Sequence, residues 1–197
     1  MSKVEFRLAI LGDAGVGKTS LVHRMTKSHF NTHASPTVGA SFFVHSVPFE
    51  DKIYEFQIWD TAGQEQYHSL ASTYYRNAQG VLILFDLTNP NSFFTAQQWV
   101  AELLSMNRRY LILLIGNKLD LSFRSVSNET ALSYAKNVGI GYIEVSAKTA
   151  QNIDNILVEI ISSAKDMNFL ASLRSPSILR LEETTEIIKK KKFCLFC

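Results

Sequence analysis

The apolar run Phe6-Arg7-Leu8-Ala9-Ile10-Leu11 passes directly into Gly12-Asp13-Ala14-Gly15-Val16-Gly17-Lys18-Thr19, and a helix-like stretch follows. An octet of the form G-x-x-x-x-G-K-[ST] in that setting constrains the fold strongly. A strand must end and a helix begin around a loop whose backbone N–H groups converge on one anion. Each residue type has a separate job. The glycines let N–H groups approach phosphate oxygens closely, Lys18 brings a positive charge to the β and γ phosphates, and the Thr19 hydroxyl can ligate Mg²⁺. An accidental glycine-rich turn is the plain alternative. The pattern therefore predicts a nucleoside triphosphate site at the first strand-to-helix turn.

The remaining chain reads as alternating strands and helices. A strand is expected at about 4–11, a helix at 17–28 and a polar loop from Asn31 to Thr37. Strands near 40–49 and 53–59 join through Glu50-Asp51-Lys52, a connection short enough to make them an antiparallel hairpin. Continuous apolar runs at 80–86, 110–116 and 141–145 read as buried parallel strands, with helices at about 65–78, 91–107, 127–137 and 149–167. The predicted fold is α/β, a doubly wound six-stranded sheet that is parallel except for one edge strand, with its ligand at the carboxyl ends of the strands. Phe93, Phe94, Trp99, Val100, Leu103 and Leu104 recur at helical spacing and are expected in the core. His29 and His33 are spaced i, i+4 but fall across a loop without a third ligand, so no metal is assigned to them.

Three further segments follow strand-like runs in chain order: Trp59-Asp60-Thr61-Ala62-Gly63-Gln64-Glu65, Asn117-Lys118-Leu119-Asp120 and Ser146-Ala147-Lys148. With the phosphate loop they resemble the small GTPases of the Ras superfamily, a P-loop NTPase G domain. An aspartate at Asp120 can accept hydrogen bonds from guanine N1–H and the 2-amino group, which adenine cannot offer; a carboxylate left unpaired rejects the wrong base. An ATP-dependent P-loop kinase is opposed by the same residues. A non-hydrolysing scaffold that keeps a fixed nucleotide is opposed by Gln64 and Thr37, for which it has no chemical need.

The resemblance implies GTP/GDP and Mg²⁺ as ligands. It assigns nucleotide contacts to Ala14, Gly15, Val16, Gly17, Lys18, Thr19 and Ser20 of the phosphate loop, to Phe30 against the guanine face, and to Thr37 and Gly63 at the γ-phosphate. Base contacts fall to Asn117, Lys118, Asp120, Ser146, Ala147 and Lys148. Thr19, Thr37 and Asp60 would surround the metal, Gln64 would orient the attacking water, and Lys18 shares the catalytic role. Thr37 and Gly63 would engage only the triphosphate, so two loops are tied to one phosphate. Ala14 departs from members with glycine there, and its methyl implies slow intrinsic hydrolysis with a retained response to an activating protein (GAP).

Val38-Gly39-Ala40-Ser41-Phe42, Phe56-Gln57-Ile58-Trp59, Tyr74-Tyr75-Arg76-Asn77-Ala78 and Leu84-Phe85-Asp86-Leu87-Thr88 are similar to segments that mark the Rab branch, over about 1–168. Tyr67-His68-Ser69-Leu70 with Gly39-Ala40 looks closer to the early-endosomal Rabs. The resemblance implies that Phe42, Trp59 and Tyr74 are presented to effectors; simple core packing is the other reading, and for Trp59 the two are not exclusive. It also implies an exchange factor, a GAP, a GDP-dissociation inhibitor or escort protein, and a prenyltransferase as partners.

Composition places this activity in a soluble body with a separate tail. The chain has 197 residues, of which 46% are hydrophobic, enough for one core. No apolar run is long enough to span a bilayer, the first residues carry no signal-peptide h-region, and Cys194 and Cys197 form no disulfide framework. Removing Lys189, Lys190, Lys191 and Lys192 from the 20 basic side chains leaves 16 against 18 acidic ones. The net charge of +2 therefore belongs to the tail, which favours a membrane surface over nucleic acid. From 169 to 197 the chain reads as a flexible tail. It ends in the polybasic run and Cys194-Leu195-Phe196-Cys197, a prenylation site whose spacing fits two modified cysteines or a C-a-a-X signal lipidated at Cys194 alone. A zinc or redox C-x-x-C would need partners and a fold to position it. The expected location is the cytoplasmic face of endosomal or vesicle membranes, with a cytosolic pool.

Overall fold

The computed structural model describes residues 2–31, 37–63 and 68–166. In chain order the elements are β1 (Ser2–Gly12), α1 (Lys18–Lys27), β2 (Ala40–Phe49), β3 (Lys52–Thr61), α2 (His68–Tyr75), β4 (Gly80–Asp86), α3 (Pro90–Ser105), β5 (Leu111–Asn117), α4 (Asn128–Val138), β6 (Gly141–Glu144) and α5 (Ile153–Asp166). The six strands form one sheet in the order β2-β3-β1-β4-β5-β6. Only β2 runs antiparallel, against β3; every other pairing is parallel. This is the predicted doubly wound sheet with one antiparallel edge strand.

Burial follows from strand composition. All seven residues of Gly80–Asp86 and of Leu111–Asn117 are buried, as expected of central parallel strands covered on both faces. Edge strand β2 instead alternates between half-buried and exposed residues, with one face towards solvent. On one side of the sheet, Ala9, Leu11, Val81, Ile83 and Phe85 share a core with Ala71 and Tyr75 of α2, Phe93, Trp99 and Val100 of α3, and Ala131 of α4. Leu8 and Ile10 point to the other face, where α1 buries Leu21, Val22 and Met25. Local signals set the helix ends. Asn89 caps α3, its side chain accepting from Asn91 N with Pro90 next in line; Ser127 caps α4, and Gly139 closes it at φ +74.

Three expectations change. Phe94 and Leu104 are 60% and 51% exposed rather than core. Phe93, Ala96, Val100 and Leu103 hold the buried stripe, and each of the two exposed residues follows a stripe position by one residue, about 100° around the axis. Helix α2 stops at Tyr75, before Arg76 and Asn77 turn away, and its predicted first turn at 65–67 lies outside the described residues. Helix α5 begins at Ile153 rather than 149, because Ala150 and Asn152 take left-handed φ values of 68° and 61°.

The compact body ends at Ile160, and a second unit runs from Ile161, of which 161–166 are described. Gln64, His33, the expected tail with Lys189–Lys192, Cys194 and Cys197 all lie outside the described residues. Among those described, no helix is long and apolar enough to cross a membrane.

Candidate functional site

Strand β1 is the point where the winding of the sheet reverses, since the chain passes first to β2 and β3 on one side and then to β4 on the other. A crevice at the carboxyl ends of the strands belongs at such a point. The glycine-rich octet closes β1 there. Gly17 stands at the N-cap of α1 with φ +98, and a Cβ on it would strike Asn117 Nδ2. It has no side chain to cap the helix, and the first turn holds no acidic residue, so the positive end of α1 stays open to an anion. Lys18 is buried, its Nζ donating to Gly12 O at 2.9 Å and Asp13 O at 2.7 Å. Burial pulls its ammonium down to about 8, against the raising influence of Asp60 and Asp13. Ala14 and Gly15 are exposed at the loop tip, Ser20 is half-buried and Val16 is buried.

Oxygen atoms gather beside the lysine. Thr19 Oγ1 donates to Asp60 Oδ2 at 2.7 Å and lies 2.6 Å from Thr37 Oγ1. Asp60 is fully buried and its Oδ1 has no hydrogen-bond partner among the described residues. Burial pushes its carboxyl above the usual range, opposed by Thr19, Lys18 and His23. An orphaned carboxylate oxygen beside two hydroxyls is hard-donor chemistry, and it fits Mg²⁺. Gly63 passes close by, where a Cβ would meet Lys18 Nζ and the Asp13 carbonyl. Ala62 N donates to Gly39 O at 2.8 Å and joins the two segments that follow Thr37 and Asp60.

The opposite wall is built around one carboxamide. Asn117 Nδ2 donates to Val16 O at 2.8 Å, and its Oδ1 accepts from Ala147 N at 3.1 Å, so the ends of β1, β5 and β6 share a single buried side chain. Ser146 Oγ donates to Asp120 Oδ1 at 2.6 Å and accepts from Thr149 N at 3.0 Å; Lys148 Nζ lies 3.8 Å from Asp120 Oδ2. Lys118, at φ +68, pairs with Asp86 Oδ2 at 2.7 Å. Burial works against that carboxylate, but Lys118 and the Thr88 hydroxyl and amide outweigh it and hold Asp86 below the ordinary range. Asp86 stands in segment 84–88, where motif reading assigns it no role; it is the partner of Lys118. Its signal was an acid closing a wholly apolar strand, where burial demands a partner.

Phe30 is half-buried at the end of the turn after α1. On the far side of β3, Phe42, Trp59 and Tyr74 form a continuous run of mutually tilted rings, with centroids 4.8 Å and 5.3 Å apart. Phe42 is 48% exposed, and the exposed Val38 and Val44 widen the apolar surface. Trp59 is half-buried, packed between the rings of Phe42 and Tyr74.

Residues of all four predicted motifs, among them Lys18, Asp60, Asn117 and Ser146, thus stand where the strands of the sheet end. Residues 7–166 match the Ras family. The chain is 44% identical over 154 residues to Ras-related protein Rab-31 of Homo sapiens, covering 77% of this chain and 79% of that protein. It is 44% identical over 158 residues to Ras-related protein Rab-5A of Dictyostelium discoideum, covering 79% of each, and 46% identical over 159 residues to Ras-related protein RABF2b of Arabidopsis thaliana, covering 80% of each. Fold, motifs and relatives agree: the chain belongs to the Ras family, in its Rab branch, and is a guanine-nucleotide-binding GTPase switch of vesicle and endosomal membrane traffic.

Proposed function

We propose that this Rab GTPase, of the early-endosomal kind, cycles between a GTP form that engages effectors and a GDP form that releases them, using the residues gathered in the crevice. Ala14, Gly15, Val16, Gly17 and Ser20 line the phosphates, and Lys18 supplies charge at the β and γ positions. Thr19, Thr37 and Asp60 hold Mg²⁺, which neutralises charge on the phosphate oxygens when bound. Asn117, Lys118, Asp120, Ser146, Ala147 and Lys148 read the guanine, with Phe30 against its face. Gln64 orients the attacking water and Gly63 offers its N–H to the γ-phosphate, so hydrolysis removes the group that ties both segments to the site.

The observation that carries this reading is the Asn117 carboxamide, which joins the phosphate loop to both base-side segments. Asp120 gives the test, since its Oδ1 accepts from Ser146 Oγ at 2.6 Å and the carboxylate is thereby oriented. Asp120→Asn replaces an acceptor by a donor. GTP should lose roughly tenfold to a hundredfold in affinity while XTP gains, by analogy with bidentate base readout. Unchanged relative affinities in a competition assay would remove Asp120 from the site.

Residues 1–168 form the G domain in this reading, and 169–197 the membrane-binding tail. A prenyl chain alone anchors marginally, and each lysine of the polybasic run adds about 1 kcal/mol near an anionic leaflet, so lipid and charge act together. The protein then occupies the cytoplasmic face of endosomal or vesicle membranes, with a cytosolic pool carried by a GDP-dissociation inhibitor or escort protein. An exchange factor, a GAP that overcomes the Ala14 methyl, and a prenyltransferase complete the cycle. Intact mass of the protein from eukaryotic cells counts the lipids and separates modification of both cysteines from processing that keeps only Cys194.

A further inference from the structure

Arg24 lies on α1 outside every sequence motif, and its guanidinium forms no ion pair among the described residues. Its donors go to three backbone carbonyls instead. Nε donates to Ala147 O at 2.9 Å, Nη2 to Lys148 O at 2.8 Å and Nη1 to Ser28 O at 2.8 Å. The guanidinium carbon also stands 5.9 Å from the centre of the Phe30 ring.

The three carbonyls are not interchangeable. Ala147 and Lys148 are successive residues of the loop beside Asp120, and their two oxygens suit the planar fork of a guanidinium, which an ammonium cannot reproduce. Ser28 is the C-cap of α1 with φ +51, the left-handed residue whose turn sets the direction in which the chain leaves the helix towards Phe30. One side chain therefore fixes two walls. The loop at 146–148 and the turn at 28–30 are far apart in sequence, and apart from Arg24 the loop is fastened by Asn117 and Asp120 alone among side chains already placed at the site.

We propose that Arg24 is a positioning residue for base recognition, holding the Ala147-Lys148 backbone and Phe30 as one rigid frame around the guanine. This rests on the base assignment proposed above. A carbonyl-bound arginine that merely stiffened the domain would slow release of any nucleotide equally. A frame around the base slows release most for the ligand that uses the base contacts fully. GDP and IDP separate the two, since inosine lacks the 2-amino group that Asp120 would accept.

The experiment measures release of GDP and of IDP from the full chain by displacement with excess unlabelled nucleotide, for the parent, Arg24→Met and Arg24→Lys. Loss of all three charge-assisted hydrogen bonds, partly replaced by water at this half-buried position, predicts GDP release about tenfold faster in Arg24→Met. IDP release should quicken less, so the preference for GDP over IDP falls by about threefold or more. Arg24→Lys, which keeps the charge and loses the fork, should lie nearer to Arg24→Met than to the parent, and it carries the test if the methionine variant does not fold. Equal acceleration for both nucleotides, or rates within about twofold of the parent, which is ordinary mutational scatter, would overturn the inference. Failure of the base assignment is distinct: it appears in the parent itself, as no preference for GDP over IDP.

Discussion

The two walls of the crevice are built on different principles. On the base side, Asn117, Asp120, Ser146 and Lys118 are each fixed by another part of the protein, at distances of 2.6 to 3.1 Å. On the side proposed for the metal, Thr37 is brought in by a hydroxyl contact, Asp60 keeps an oxygen without a partner among the described residues, and Gly63 only fits against Lys18 because it has no side chain. A wall that must recognise one base in both GTP and GDP gains from being prebuilt, because prior ordering lowers the cost of binding. A wall that must report on one phosphate cannot be self-sufficient. Its contacts have to be completed by the ligand, or hydrolysis would change nothing.

That contrast breaks most visibly at Asn117. Asn117→Ala strips the partners from Val16 O and Ala147 N in a buried setting and unlinks the phosphate loop from the loop that follows β6. With about 1–3 kcal/mol for each buried group left unpaired, affinity for GDP and GTP should fall together by a hundredfold or more. Calorimetric titration of the nucleotide-free variant checks it. A loss confined to GTP would place Asn117 on the reporting wall instead.

The complementary change is Gln64→Leu, which should leave the affinity for both nucleotides close to the parent while slowing intrinsic single-turnover hydrolysis roughly tenfold to a hundredfold. Misplacing the attacking water costs rate in that range, and a group acting only in the transition state does not alter ground-state binding. GAP-stimulated turnover is a separate readout, since an activating protein brings groups of its own to the transition state. Equal intrinsic rates would show that Gln64 is not aimed at the water.

The sequence made the frame legible and left its cross-ties hidden, for a physical reason. Continuous apolar runs at β4 and β5 announce buried parallel strands, and the motif glycines and Asp120 announce chemistry, because both signals are local. Phe94 and Leu104 misled because helical spacing fixes a stripe only to within one residue, and one residue is about 100°. The late start of α5 was invisible because nothing in Thr149-Ala150-Gln151-Asn152 requires two left-handed residues. Asp86 and Arg24 have partners distant in the chain, and only folding brings the acid to Lys118 and the guanidinium to Ala147. Asp86 at least closes a buried strand with a charge. Arg24 sits on a helix face where any basic residue would look solvated.

The smallest effect sharpens the contrast from inside the phosphate loop, where Lys18 belongs to neither wall alone. Burial lowers its ammonium from the ordinary value near 10.5 to about 8, so the folded chain binds fewer protons than the unfolded chain between those two values. Stability therefore rises with pH through that window, and below about pH 8 the buried charge costs the nucleotide-free protein its full penalty. Lys18→Met removes the charge but also leaves the Gly12 and Asp13 carbonyls without their donor. These terms oppose, and the remainder should stabilise the nucleotide-free variant by about 1–2 kcal/mol at pH 7. By about pH 10 the parent's lysine is neutral when folded and most of the electrostatic cost is gone, so the advantage should vanish and the unpaired carbonyls should leave the variant slightly less stable than the parent. Denaturant unfolding of both proteins at pH 7 and pH 10 measures it. An advantage that did not change with pH would assign the gain to packing, and would mean that Lys18 is held ready for phosphate without stored electrostatic cost.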